Sequence, residues 1–230
     1  MAETVVKRKR KRMPRPGRLA LAAAILLALA AGLVGILTRP APQAPYEPLT
    51  QEEIDAARAA APIETPQREA AVEAGLTLLG KVHYFWGGKS DALVWDPDWG
   101  TPRKVTSEGS ESSGTIKPYG LDCSGFVAWC YAQQGLTAAE VEERVGHGTW
   151  NQWDRSAKIK WKDLRVGDWA FQNEYPTDKG NHIGICIGFD EKGRPLFVHC
   201  AAGFDNVVVT GAGDIFRHAR RPLVYGESAS

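Results

Sequence analysis

The chain has no two cysteines separated by two residues, and its four cysteines lie far apart, at positions 123, 130, 186 and 200. That spacing fits none of the common structural zinc sites, so no metal site is expected. No internal repeat is visible. The content of 43% hydrophobic and 24% charged residues excludes a disordered chain and a membrane protein with many spans.

Excess positive charge is absent beyond the first 39 residues. The chain has 28 Lys and Arg against 27 Asp and Glu, a net charge of +1. Nine of those basic residues, but only Glu3 among the acidic ones, lie within residues 1–39, so this segment carries +8 and the remainder −7. The acidic remainder argues against nucleic acid as a partner, because phosphate binding requires a clustered basic face.

A long apolar run, residues 19–37, contains 19 residues of Leu, Ala, Ile, Val and Gly without a charge. About 20 such residues cross a hydrocarbon core of about 30 Å, so the sequence predicts a transmembrane helix at 19–38, acting as an uncleaved signal anchor. Residues 1–18 are rich in Lys and Arg, and the positive-inside rule predicts a cytoplasmic tail with everything after residue 39 exported. The alternatives are a cleaved signal peptide and, for the basic run, a nuclear-localisation or nucleic-acid patch.

Residues 39–64 are predicted to be a proline-rich linker followed by a short helix. Residues 39–49 contain four prolines and tend toward polyproline II, so they predict a stiff linker in which no chemistry is expected. Thr50 and Glu53 have the capping-box spacing, which predicts a helix that begins there and ends near Ala61.

Residues 65–226 are predicted to form one α+β domain, with N-terminal helices packed on an antiparallel sheet. One helix should run from Thr65 to about Gly80, and residues 121–134 should be a loop that runs into another helix. Residues 89–118 show little periodicity and predict a long irregular loop. The final hundred residues read as strands. The predicted strands are Asp168–Phe171, Ile183–Phe189, Leu196–Cys200 and Val207–Thr210.

Cys123 follows Asp122 and precedes a helical run. The unpaired N–H groups and positive dipole end of a helix favour a thiolate, which can lower a cysteine pKa from about 8.5 to roughly 3.5–7.5. The sequence therefore predicts a reactive thiol, with an unreactive buried cysteine as the alternative. An exported chain can also form disulfides. None is expected to involve Cys123, and a bridge between Cys186 and Cys200 is disfavoured because their side chains should lie on opposite faces.

His182 and His199 lie on two strands joined by a hairpin turn near Glu191. Counting from that turn makes the two histidines diagonal neighbours on one face. A thiol, an imidazole base and a third group that fixes the imidazole are the parts of a cysteine hydrolase site. We therefore predict a relay of Cys123, His182 and His199, in which His182 is the base. Each histidine alone also fits a hydrogen-bonded role in a strand.

Five short segments occur in an order that is typical of one enzyme family. They are YFWGG at 84–88, LDCSGFV at 121–127, LRVGD at 164–168, HIGI at 182–185 and VH at 198–199. These segments resemble motifs of the NlpC-type cell-wall cysteine peptidases, bacterial enzymes with a compact papain-like fold, and the resemblance covers about residues 66–225.

The resemblance implies that Cys123 is the nucleophile, His182 the general base and His199 the orienting polar residue. It implies a peptidoglycan endopeptidase that cleaves the bond between γ-D-glutamate and a diamino acid, and the predicted signal anchor places this enzyme on the outer face of a bacterial membrane. Its partners would be peptidoglycan stem peptides and, through residues 19–38, the lipid bilayer, and no metal or organic cofactor is needed. The alternatives are a non-catalytic wall-binding module of the same fold, and an amidase or acyltransferase that uses the same site.

Further roles follow from the same resemblance. Tyr84 would place its hydroxyl near the oxyanion, Asp122 would cap the helix or contact the substrate amine, and the backbone N–H of Cys123 or Ser124 would donate to the oxyanion.

The gap between the first two motifs is longer than we take to be typical of the family. The extra residues, 89–119, are expected to form a lid or specificity wall that carries Trp95 and Trp99.

Overall fold

The computed structural model describes residues 43–226, so the predicted basic tail and membrane span lie outside the described residues. Between residues 43 and 226, no helix has the length and apolar character needed to cross a membrane. The helices are α1 (Gln51–Ala60), α2 (Pro66–Thr77), α3 (Cys123–Ala132), α4 (Ala138–Arg144) and α5 (Thr149–Asp154). The strands are β1 (Pro102–Lys104), β2 (Ile116–Pro118), β3 (Ser156–Lys158), β4 (Trp169–Phe171), β5 (Ile183–Phe189), β6 (Pro195–Ala201), β7 (Asn206–Gly211) and β8 (His218–Pro222).

The first two helices begin where the sequence predicts. The Thr50 side chain accepts a hydrogen bond from the backbone N–H of Glu53, and the Glu53 carboxylate accepts one from the N–H of Thr50, so the capping box is confirmed. Thr65 is the N-cap of α2. This helix ends at Thr77, three residues before the predicted end.

Six strands form an antiparallel sheet in the order β3-β8-β4-β5-β6-β7. The four predicted strands are confirmed as β4 to β7, with ends that shift by at most one residue. The expectation of strands alone in the final hundred residues is wrong, because α4 and α5 also lie there. A second capping box, between Thr137 and Glu140, starts α4.

The β5–β6 hairpin sets the positions of the two histidines. Ile185 pairs with Val198, which is the register predicted from the turn. The pairs next to the turn are offset by one residue through a β-bulge between Cys186 and Gly188. Since the bulge lies on the turn side of the histidines, it leaves their relative placement as predicted.

Residues 89–118 are more regular than predicted. β1 and β2 pair as an antiparallel ribbon, with Lys104 opposite Ile116. Two hydrogen bonds connect the chain before the ribbon to α3 and the residue after it. Trp129 Nε1 donates to the carbonyl of Ala92 at 2.9 Å, and the N–H of Val94 donates to Gln133 Oε1 at 2.7 Å.

Helix α3 lies at the centre of the fold, where it packs against α2, β5 and β6. Every residue of α3 is buried. Because its N-terminus faces the strands that carry the histidines, the fold brings Cys123 toward His182.

Residues 43–49, which belong to the predicted stiff linker, dock on the sheet. We call residues 43–49 the edge segment. The N–H of Leu49 donates to the carbonyl of Val209, and the N–H groups of Gly211 and Gly213 donate to Pro45 and Ala44. Proline lacks only its own N–H, so this segment keeps enough donors and acceptors to pair with the exposed edge of β7.

Candidate active site

Asp122 caps the helix that begins with Cys123. Its carboxylate accepts hydrogen bonds from the N–H of Gly125 at 2.6 Å and from the hydroxyl of Ser124 at 2.7 Å. A carboxylate at this position satisfies N–H groups that have no partner within the helix. It also fixes a negative charge beside the thiol.

The YFWGG segment is held directly against the start of α3. Tyr84 forms a parallel bridge with Leu121, and the N–H of Asp122 donates to the carbonyl of Gly88 at 3.1 Å. A Cβ atom at Gly125 would collide with that carbonyl oxygen, so this close approach requires glycine. The pKa of the Tyr84 hydroxyl is raised mainly by burial and also by the Asp122 carboxylate, so the phenol stays protonated beside the thiol.

The sulfur of Cys123 lies against the backbone on either side of His182. Its thiol donates to the carbonyl of Asn181 at 3.9 Å, and the N–H of Ile183 faces the sulfur. Cys123 is only 4% exposed. All four cysteines are free thiols.

A hydrogen-bonded chain connects the two histidines to Thr210. His182 Nε2 lies 3.0 Å from His199 Nδ1, and His199 Nε2 lies 2.9 Å from Thr210 Oγ1. The Thr210 hydroxyl donates to the carbonyl of Gly211 at 2.8 Å. Its oxygen must therefore accept from His199 rather than donate to it.

This chain of contacts assigns the tautomer of both neutral rings. Because His199 Nε2 carries a proton toward Thr210, His199 Nδ1 is an acceptor. His182 Nε2 is then the donor, and Nδ1 of His182 keeps its lone pair. The site thus holds an imidazole with an unprotonated nitrogen, as a general base requires.

The ionisation state of the thiol differs from the prediction. Burial and the Asp122 carboxylate raise the pKa of Cys123 to about 12, with Lys89 and nearby N–H groups opposing this. Burial lowers the pKa of His182 to about 4, partly opposed by Asp122, and burial and His182 lower that of His199 well below its usual value. The predicted lowering of the thiol pKa is wrong, and the resting site holds a thiol and two neutral imidazoles.

Lys89 is a member of the site that sequence reasoning missed. Its ammonium lies 2.6 Å from both carboxylate oxygens of Asp122 and 3.0 Å from the Ser124 hydroxyl. It neutralises the charge at the start of α3. Ser124 is thus engaged through its side chain, and the oxyanion role of its backbone N–H stays a prediction.

Tyr46 is a second residue of the site that no sequence motif marks. Its hydroxyl lies 3.5 Å from His182 Nε2, although it belongs to the edge segment, where no chemistry was expected.

The two tryptophans of the 89–119 insertion lie away from the thiol. Trp99 is buried and packs against Trp129, with ring centroids 5.7 Å apart, and Trp95 packs on Trp99 at 4.9 Å. Trp129 is six residues beyond Cys123, about 9 Å along the helix. The contacts of Trp95 and Trp99 do not reach Cys123, and their role in substrate choice stays a prediction.

The lowered pKa values of His182 and His199 should make the stability of the folded protein sensitive to acid. In the unfolded chain both rings bind protons near pH 6.5, whereas in the folded protein His182 stays neutral to about pH 4. The unfolded state therefore binds more protons in this window. We expect the free energy of unfolding to fall by about 1.4 kcal/mol per histidine for each pH unit well below 6.5.

Thermal unfolding between pH 7 and 5 measures this slope. The variant His182→Gln should show a shallower slope than the wild type. Equal slopes for the two proteins would contradict the assignment of a neutral His182 with a lowered pKa.

Comparison with known proteins gives a consistent picture. The family model described as "NlpC/P60 family" matches residues 80–211. The peptidoglycan DL-endopeptidase CwlO of Bacillus licheniformis is 28% identical over 120 residues, which cover 52% of this chain and 20% of CwlO. The matched region therefore spans about a fifth of that relative.

Two solved structures from Mycobacterium tuberculosis are also similar. The peptidoglycan hydrolase RipB aligns with a TM-score of 0.47 and 16% identity, covering 91% of this chain and 86% of RipB. RipD, a non-catalytic NlpC/p60 domain protein adapted to peptidoglycan binding, aligns with a TM-score of 0.47 and 17% identity, covering 70% of this chain and 99% of RipD.

Proposed function

This chain belongs to the NlpC/P60 family, and on that premise we propose that it hydrolyses peptidoglycan stem peptides with Cys123 as the nucleophile. The bond proposed is the amide between γ-D-glutamate and the diamino acid. The observation that carries the proposal is the chain from Thr210 through His199 to His182. It leaves an unprotonated nitrogen on the residue whose flanking backbone contacts the thiol.

Acylation begins with the neutral thiol and the neutral imidazole. Nδ1 of His182 takes the thiol proton as the sulfur attacks the carbonyl carbon, forming a tetrahedral intermediate. The imidazolium then gives that proton to the leaving amine, and an acyl-enzyme remains on Cys123. In the second half, neutral His182 takes a proton from the water that attacks the acyl carbon. The C–S bond then breaks, the imidazolium returns its proton to the Cys123 sulfur, and the new carboxylic acid leaves and ionises.

The surroundings stabilise the charges that form during this reaction. The Asp122 carboxylate raises the pKa of His182 and so favours the imidazolium, and His199 Nδ1 accepts its Nε2–H. The protonated hydroxyl of Tyr84 and the backbone N–H of Cys123 or Ser124 are proposed donors to the oxyanion. Such a donor is worth roughly 3–4 kcal/mol.

We propose that residues 19–38 anchor the enzyme in the bacterial membrane and that its domain acts on the outer face. Support comes from the apolar run and the basic residues before it. Protease treatment of intact spheroplasts should degrade the domain and leave a protected N-terminal fragment. Protection of the whole chain would contradict this orientation.

Digestion of purified peptidoglycan tests the proposed reaction. The chain is incubated with sacculi, and the soluble fragments are identified by mass spectrometry. We expect fragments that end in D-glutamate and others that begin with the free amine of the diamino acid. Binding to sacculi without any fragments would indicate a wall-binding module, and cleavage between sugar and peptide would indicate an amidase.

Thr210 provides a test of the assigned tautomers. Thr210→Val keeps the shape of the side chain but removes the acceptor for His199 Nε2–H, so the His199 ring is free to present the wrong nitrogen to His182. We expect kcat/KM for fragment release to fall about tenfold, equivalent to about 1.4 kcal/mol. Thr210→Ser retains the hydroxyl and should keep most of the activity. Equal rates for the Val and Ser variants would contradict the role of the hydroxyl.

A further inference from the structure

Tyr46 lies outside residues 80–211, the region that matches the family, yet its side chain enters the site. Its hydroxyl lies 3.5 Å from His182 Nε2, and its ring stacks on His199 with centroids 5.4 Å apart and an interplanar angle of 23°. We propose that Tyr46 is a positioning residue that holds the His182–His199 pair in its catalytic arrangement. The proposal rests on the proposed function, and it makes the edge segment part of the catalytic unit.

Aromatic rings enclose the imidazoles on several sides. The Phe216 ring stacks on His182, with ring centroids 5.5 Å apart and an interplanar angle of 21°. It meets His199 edge-on, with ring centroids 5.2 Å apart. The Tyr46 ring packs against the rings of Phe216 and Phe204, with centroid distances of 6.1 Å and 5.5 Å. Tyr46 therefore completes an enclosure that limits rotation of both rings and keeps water away from them.

The orientation of His182 explains why such an enclosure matters. Its Nε2–H must point at His199 Nδ1 for its own Nδ1 to act as the base. A flipped ring would exchange the two nitrogens and leave the base pointing away from the thiol. Rings stacked on both imidazoles oppose such a flip, since each flip has to displace a packed neighbour.

Two glycines, Gly211 and Gly213, allow the edge segment to lie directly against the chain at the end of β7. A Cβ at Gly211 would collide with the carbonyl oxygen of Ala44, and one at Gly213 would lie 2.6 Å from the Cβ of Tyr46. Backbone hydrogen bonds to β7 and the residues after it hold the segment on both sides of Tyr46. The position of Tyr46 is thus determined by the backbone contacts between the edge segment and residues 209–213.

Three variants of the full chain distinguish the contributions of the Tyr46 hydroxyl, the Tyr46 ring and the docking of the edge segment. Tyr46→Phe removes only the hydroxyl, and Tyr46→Ala removes hydroxyl and ring. Gly211→Ala forces the edge segment away from β7 without changing the tyrosine or either histidine. Gly203→Ala is the matched control, because an added Cβ there meets no atom within 4 Å.

Two measurements are made on each protein: kcat/KM for fragment release, and the ¹⁵N NMR shifts of the His182 ring across pH, which report its tautomer and pKa. The titratable groups around His182 are Tyr46, Asp122, Cys123 and His199. We expect Tyr46→Ala and Gly211→Ala to lower kcat/KM about tenfold, mainly through kcat. Both should also raise the pKa of His182 toward 6.5 as water enters.

The kcat/KM of Tyr46→Phe and the pKa of its His182 should lie between those of the wild type and of Tyr46→Ala. Gly203→Ala should have the same values as the wild type. A purely structural role would lower the melting temperature and leave the His182 shifts of the folded protein unchanged. That result would overturn the proposal, as would wild-type or faster cleavage by Tyr46→Ala and Gly211→Ala. If the wild type cleaves no peptidoglycan, the proposed function fails, whereas the NMR shifts still decide the role of Tyr46.

Discussion

Cys123→Ala is expected to reduce fragment release from peptidoglycan by about 10⁴-fold or more. Without the sulfur no acyl-enzyme can form, and losses of this size are usual when a catalytic nucleophile is removed. Mass spectrometry of the soluble fragments, quantified over time, measures the effect. Binding of the variant to sacculi should persist, because the rest of the site is unchanged.

Cys130→Ala is the matched control for this substitution. Cys130 is a free, fully buried thiol on the same helix, two turns from Cys123. Its loss removes a sulfur from the core without touching the histidines, so activity should stay close to the wild type. Cleavage that survives in Cys123→Ala would remove Cys123 as the nucleophile.

Asp168→Ala is expected to lower the free energy of unfolding by about 3–5 kcal/mol. Asp168 is fully buried, and its carboxylate lies 2.9 Å from Arg68 Nη1 and 3.1 Å from Arg221 Nη2. It also accepts the backbone N–H of Arg165 at 3.0 Å. Removing the carboxylate leaves two guanidinium groups in the core without its negative charge, and this explains the size of the effect.

Urea denaturation followed by tryptophan fluorescence measures the loss for Asp168→Ala. Asp91→Ala is a suitable control, since Asp91 is exposed and surface substitutions usually change stability by less than about 0.5 kcal/mol. Similar midpoints for the two variants would show that the buried ion pairs contribute little to stability.

Local sequence signals predict the parts of the fold that neighbouring residues determine. The capping box of Thr50 and Glu53 involves groups three residues apart, so it is visible in the sequence. The register of the β5–β6 hairpin follows from one turn, and this register places His182 beside His199. Cys123 was selected because a helix start is itself a local pattern.

The remaining features depend on contacts between distant parts of the chain. Tyr46 reaches His182 across 136 residues, and Lys89 reaches Asp122 across 33. No periodicity or motif encodes either contact. The pKa of Cys123 could not be predicted for the same reason, because burial is a property of the whole fold and outweighs the nearby N–H groups and Lys89.

The docking of the edge segment also affects the behaviour of the protein in solution. An uncovered final strand of a sheet can pair with strands of other molecules and so promote aggregation. Here the backbone of residues 44–49 occupies that side of β7, and Pro45 and Pro48 have no N–H to offer to a further strand. The edge segment that brings Tyr46 to the histidines therefore also protects this edge of the sheet from edge-to-edge association.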